Sequence, residues 1–251
     1  MSVQYAYDGS FPGVLCALCA SLGEKERPFG IVSEREFQPA LLAPTVPVTT
    51  DDDRAGRFME RITTVMGRHV RRTLVRAFLS DLPGRELRLY DYLAFLRDRG
   101  PRGDACLTHP SVAPVRDLAR QVTVEAHRLT GLARFARVDE GLLLALMEPR
   151  HLILPLIAPH FIRRFPAERW AMIDVGRGVG LYWDTKEPHE IESGPETTRL
   201  LNSIPVEEGQ DIYEKMWRRY FKDIAIPERR NPRCQRRFMP VRYWKYLTEK
   251  R

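Results

Sequence analysis

The sequence predicts an α+β fold: helices packed around a small antiparallel sheet made of two hairpins plus an N-terminal strand. Three observations lead there. Windows between residues 51 and 132 carry apolar residues at helical spacing. Two pairs of short apolar runs flank turn signals, Phe135–Val138 with Leu142–Met147 around Asp139-Glu140-Gly141, and Trp170–Val175 with Val179–Trp183 around Gly176-Arg177-Gly178. With 251 residues, 43% hydrophobic and 29% charged, the chain can bury a substantial core. No linker-like stretch separates its halves, so one domain over 1–251 is expected, with a basic, aromatic segment 217–251 packed on it.

In chain order, Val3–Tyr7 reads as a strand. Asp8-Gly9 signals a turn, and Ser10 can cap a helix over about 11–22 with Pro12 in its first turn. Cys16 and Cys19 stand three apart on that helix. Without a second pair at zinc spacing they read as small buried residues. Residues 24–47 hold five prolines and glycines and read as loop, with a short strand at Gly30–Ser33. Thr49-Thr50-Asp51-Asp52-Asp53 is a strong helix start, because hydroxyl and carboxylate oxygens satisfy the free amides at the positive end of the dipole. Helices to about 67, over about 68–80 and over about 85–98 follow, then a Gly/Pro-rich loop at 100–110.

Ser111–Leu132 is the best-defined helix. With Leu118 at 0°, Val115, Val122, Leu129 and Leu132 fall between about −40° and +60°, and Glu125 falls at about −20°, inside that apolar stripe. His127 falls near 180° and Arg128 near −80° on the same projection, taken at ~100° per residue. A carboxylate on a buried face needs a partner or a raised pKa. Glu125 is therefore either half of a buried ion pair or a functional acid.

After the first hairpin comes Glu148-Pro149-Arg150-His151. Leu152–Phe165 then reads as a helix that Pro159 should kink or break, because proline removes a backbone donor. Residues 184–205 read as polar loop. Asp211–Phe221 is a helix with Tyr213, Trp217, Tyr220, Phe221 and Ile224 inward and Arg218, Arg219 and Lys222 outward. A basic loop, a short helical turn near 233–239 and a last helix from Pro240 complete the chain.

Charge is concentrated at that end. Residues 217–251 hold 12 of the 40 Lys+Arg and 3 of the 33 Asp+Glu, a formal +9; the rest carries −2. Cations interleaved with rings suit phosphates and bases, or else make a solvated face over a buried aromatic core. No apolar run approaches the ~18 residues of a membrane span. No secretory signal is visible, and four scattered cysteines do not form a disulfide framework in a chain this long. These features predict a soluble cytoplasmic protein without membrane attachment. No Walker loop, HExxH, zinc-finger spacing or Gly-x-Ser-x-Gly is present, so neither metal nor cofactor is implied. His151 and His160 sit in apolar surroundings and read as core-edge residues or as acid–base partners.

Four segments together resemble a known family: Tyr7-Asp8-Gly9-Ser10-Phe11; Glu125-Ala126-His127-Arg128 with Arg134-Phe135; Leu154-Pro155-Leu156-Ile157-Ala158-Pro159-His160-Phe161; and Arg237-Phe238-Met239-Pro240-Val241-Arg242-Tyr243-Trp244-Lys245. The chain is similar to the bacterial "probable DNA metabolism protein" family of unknown function. Members are encoded beside a DNA modification/repair radical SAM protein, and some are fused to a uracil-DNA-glycosylase-type domain. The resemblance implies DNA, a radical SAM protein and a uracil-DNA-glycosylase-type protein as partners.

Three functional readings result. The first is a DNA-binding accessory protein in repair or modification, with Arg229, Arg230, Arg233, Arg236, Arg237, Arg242 and Lys245 on phosphates. Tyr243, Trp244 or Phe238 would stack on bases. The second is an enzyme acting on a base or nucleotide, with Glu125, His127 and His160 as catalytic acid–base groups and Arg128 or Arg134 as an anion clamp. It requires those side chains to converge on one concave site. The third is an interaction module whose basic surface docks on an acidic protein.

Overall fold

The computed structural model describes residues 2–37, 44–139, 141–192, 194 and 212–250. Parts of the expected loops, 38–43 and 195–205, and the side chain of Tyr213 lie outside the described residues. The chain divides into two compact units, Met1–Thr123 and Val124–Arg251, with the division inside one helix.

The first unit is built on a three-stranded parallel sheet. Its strands are β1 (Gln4–Tyr7), β2 (Gly30–Ser33) and β3 (Thr45–Pro47), in the order β2-β1-β3. All four residues of β1 are buried, as befits a central parallel strand covered on both faces. Helix α1 (Phe11–Gly23) makes the crossover from β1 to β2. Ser10 caps it: its hydroxyl accepts from the Gly13 amide at 2.9 Å. Asp51 caps α2 (Asp52–Met66) in the same way through the Arg54 amide. Gly67, at φ +96°, joins α2 to α3 (Arg68–Phe78) in a backbone conformation that side chains rarely adopt. Helix α4 (Arg85–Arg99) and the first half of α5 (Ala113–Leu132) follow.

Leu15, Cys16, Ala55 and Met59 form a core cluster between α1 and α2. Cys16 thus lies in the core, as its place on an apolar helix predicts. The buried Tyr7 hydroxyl donates to Glu86 at 2.9 Å, and Arg85 donates to the same oxygen at 2.8 Å. This ties the central strand to α4.

The second unit is a five-stranded mixed sheet with helices. It contains β4 (Phe135–Asp139), β5 (Leu142–Met147), β6 (Arg169–Asp174), β7 (Val179–Trp183) and β8 (Pro188–Ile191), in sequential order. The pairs β4–β5, β6–β7 and β7–β8 are antiparallel, but β5–β6 is parallel, joined through α6 (Leu154–Arg164). Both expected hairpins are present. The single antiparallel sheet is not: the N-terminal strand belongs to a separate parallel sheet, and a crossover helix makes the junction between the hairpins parallel.

β6 is the central strand, and Trp170 to Asp174 are fully buried. Gly180 on β7 faces it closely; a Cβ there would fall 2.9 Å from the Met172 carbonyl oxygen. Helix α6 continues through Pro159 without interruption, since only one backbone bond is lost. Phe161 of α6 meets Phe135 and Trp170 edge to face, with ring centroids 5.1 and 6.3 Å apart.

Two strands escape sequence reading. β3 is a short exposed edge strand with prolines at and before it, and β8 is a polar edge strand whose single buried residue is Ile191. Neither has the alternation that marks a strand. The C-terminal part of this unit comprises α7 (Ile212–Asp223), α8 (Pro232–Phe238) and short 3-10 turns at Val241–Tyr246 and Thr248–Lys250.

Candidate functional site

Glu125, in the second half of α5, organises the site. It is 3% exposed, with Ala126 and Leu129 buried beside it. Its Oε2 accepts from the His151 amide at 2.8 Å, and its Oε1 accepts from the Arg150 amide at 3.0 Å. The same Oε1 also accepts from the Tyr243 hydroxyl at 2.5 Å and from Arg242 Nη2 at 2.7 Å. Amides at 150 and 151 follow the end of β5 and have left the sheet ladder, so the carboxylate satisfies groups that burial would otherwise strand. Burial alone raises the Glu125 pKa. The Tyr243 hydrogen bond, the two amides and the Arg242 charge outweigh it, and the carboxyl titrates below its ordinary range. Tyr243 is pushed the other way, to about 12, by burial and by its bond to that carboxylate.

A second anchor holds the same segment from its carbonyl side. Arg177, in the turn after β6, pairs with buried Asp174 at 2.7 Å. It also donates to the carbonyls of Pro149 at 3.1 Å and Arg150 at 2.6 Å. The backbone at 149–151 is therefore gripped on both its amides and its carbonyls. The Arg150 side chain is left exposed, and among the described residues its guanidinium has no hydrogen-bonding or ionic partner.

That guanidinium borders an open cleft of about 490 Å3 lined by Glu148, Pro149, Arg150, Val241, Arg242 and Lys245. Arg242 is fixed through Nη2 and lies over the Tyr243 ring at 4.7 Å; its Nε and Nη1 have no partner among the described residues. Lys245 pairs with Glu148 Oε2, which also accepts from the Tyr246 hydroxyl at 3.0 Å. Arg242 and Lys245 are paired with Glu125 and Glu148, and the Arg150 guanidinium beside them presents a planar fork of the shape that matches phosphate oxygens.

The expected catalytic group is not assembled. Glu125 accepts four hydrogen bonds, its carboxyl is held in the ionised form, and it does not line the cleft, so its contacts are those of a carboxylate that ties segments together. His127 is exposed on α5 and His160 is half-buried against the Phe161 ring, and neither bonds to Glu125. Arg134 is no open clamp either: it is paired with Glu249 at 2.6 Å and lies over the Trp217 ring at 4.9 Å. Arg128 is half-buried.

Of the expected phosphate contacts, Arg242 and Lys245 share the cleft. Arg229, Arg230, Arg233, Arg236 and Arg237 are exposed on and before α8. Tyr243 cannot stack on a base, because it is 2% exposed and committed to Glu125. Trp217, Tyr220 and Ile224, expected inward, are instead 37%, 53% and 54% exposed. Helix α7 meets the Thr248–Lys250 turn, where Glu249 takes the Trp217 indole N–H at 2.9 Å. Phe221 is half-buried with Lys250 over its ring, while Tyr220 and Ile224 stay open. Sequence reading missed Arg150, Glu148 and Arg177; the only local signal was a charged run directly after a strand.

Among the described residues no three His, Cys, Asp or Glu side chains gather as a metal site, and no helix is long and apolar enough to cross a membrane. The second unit is thus a mixed α/β module with a cationic cleft. Residues 83–249 match the model of DUF4130, a domain of unknown function, and the chain belongs to that family. No curated protein and no solved structure matches the chain.

Proposed function

We propose that this protein binds DNA through phosphate contacts, as an accessory factor in DNA repair or modification that acts with a radical SAM enzyme. The observation that carries the binding reading is Arg150. Its backbone is held at both amide and carbonyl while its guanidinium stands unpartnered beside Arg242 and Lys245. A cation on an anchored backbone and without an internal partner is suited to an external anion. The exposed arginines of 229–237 extend the same charge, and the +9 of residues 217–251 supports a polyanion over a small anion. The repair context and the radical SAM partner rest on the resemblance of the Tyr7, Glu125, Leu154 and Arg237 segments to the DNA metabolism family.

Fluorescence anisotropy with labelled oligonucleotides across a salt series tests the reading. Affinity is expected to fall linearly in log–log form, and Arg150→Ala is expected to reduce the slope by about one contact while the fold is retained. Salt-independent binding, or binding unchanged by Arg150→Ala together with Arg233→Glu and Arg237→Glu, rejects it.

A further inference from the structure

The cleft contains more than a phosphate grip needs. Arg150, Arg242 and Lys245 supply cations, but Pro149 and Val241 add apolar walls, and Glu148 places a carboxylate beside them. Apolar walls contribute nothing to holding a phosphate, and a carboxylate repels one. Val241 is a valine left 55% exposed at the edge of a charged site. Glu148 Oε2 is committed to Lys245 and Tyr246, while Oε1 has no partner among the described residues. Its pKa lies below the ordinary range because of the Lys245 and Tyr246 hydrogen bonds, so near neutral pH that oxygen only accepts. A ligand that suits all these walls carries an anion, a flat apolar surface and an N–H donor. The volume of about 490 Å3 lies within the ~300–1,000 Å3 range of small-molecule sites and is ample for one nucleotide.

We propose that the cleft seats one unpaired nucleotide whose base bears an amino group, rather than a stretch of duplex backbone. Its phosphate lies on Arg150 and the open edge of Arg242, its ring on Val241 and Pro149, and its amino group on Glu148 Oε1. This rests on the nucleic-acid reading above and names the unit recognised. It disfavours thymine, which presents a carbonyl where cytosine and adenine present an amino group and would face the Glu148 oxygen with a second acceptor.

The test uses the full-length protein and titrates dCMP, dAMP, dTMP and inorganic phosphate at one ionic strength, followed by amide chemical shifts of residues 148–150 and 241–245. dCMP and dAMP are expected to bind about tenfold tighter than dTMP and than phosphate. Glu148→Ala is expected to bring the dCMP/dTMP ratio to about one, and Arg150→Ala to weaken all four ligands together. Equal binding of dCMP and dTMP, or nucleotides no tighter than phosphate, overturns the proposal. If oligonucleotides still bind in a salt-dependent way while nucleotides do no better than phosphate, the inference fails and the phosphate reading stands. If neither oligonucleotides nor nucleotides bind, both fail.

Discussion

The C-terminal basic segment contains two regions of similar composition and opposite behaviour. In Val241–Lys250, Tyr243, Leu247 and Thr248 are buried, and the turns supply Tyr243 and Arg242 to Glu125 and Glu249 to Arg134. In the stretch from Trp217 through α8, Tyr220, Ile224 and Phe238 are more than half exposed, and the arginines of α8 project into solvent. Both regions alternate rings with cations. What separates them is whether a carboxylate waits in the rest of the unit. Where Glu125 is present, the tail is drawn in as part of the fold; in α8, whose arginines meet no carboxylate among the described residues, the same residue types stay on the surface.

Four perturbations break or sharpen that contrast. All four tryptophans, Trp170, Trp183, Trp217 and Trp244, lie in the second unit, so tryptophan fluorescence in urea reports on that unit alone. The largest effect is expected from Glu125→Ala, which strands the buried His151 amide, the part-buried Arg150 amide and the Tyr243 hydroxyl and should cost about 3 kcal/mol. An unchanged urea midpoint would show that the tail is not held by this carboxylate. Gly180→Ala should cost about 1–3 kcal/mol, because the added methyl meets both the buried Ile173 side chain and the Met172 carbonyl of the β6 backbone, which cannot move aside.

Next comes pH. Burial raises the pKa of both Glu125 and Glu249, but their hydrogen bonds and the partner arginines bring both below the ordinary range. A carboxyl depressed in the folded state stabilises fully above its unfolded pKa, and the contribution is lost as pH falls through the folded value. Asp174 works in the opposite sense, because burial keeps its pKa raised despite Arg177, so its contribution fades as pH rises. We predict that the urea midpoint of the second unit falls as pH drops below the 4.5 of an ordinary glutamate, and that Glu125→Gln flattens this profile. A wild-type profile that stays level to pH 3 would refute the assignment.

The smallest effect should come from the exposed side. Tyr220→Ala and Arg237→Ala should change stability by no more than about 0.5 kcal/mol, as expected for surface positions. A larger loss for Tyr220→Ala would mean that the open stripe of α7 is covered in solution.

Legibility differed between fold and site for identifiable reasons. The helices from Asp52 to Arg99, the cap at Ser10 and both hairpins are local features, written in short-range spacing and turn chemistry. The parallel pairing of β5 with β6 depends on how α6 crosses over, which no local pattern records. At the site, the position of Glu125 in an apolar stripe announced a buried carboxylate. Its partners lie 25, 26, 117 and 118 residues further along the chain, beyond any periodicity.

By itself, then, the sequence determined which segments are helical, which runs form hairpins, where the positive charge accumulates and that Glu125 needs partners. These follow from local sterics, hydrogen bonding and composition. Only the tertiary structure decided that Glu125 is a clamp rather than an acid, that Tyr243 is buried while Tyr220 is open, and that Arg150 joins Arg242 and Lys245 around one cleft. The physical reason is the same in each case: burial and pairing belong to contacts between distant segments, and a side chain's chemistry follows from what those contacts leave free.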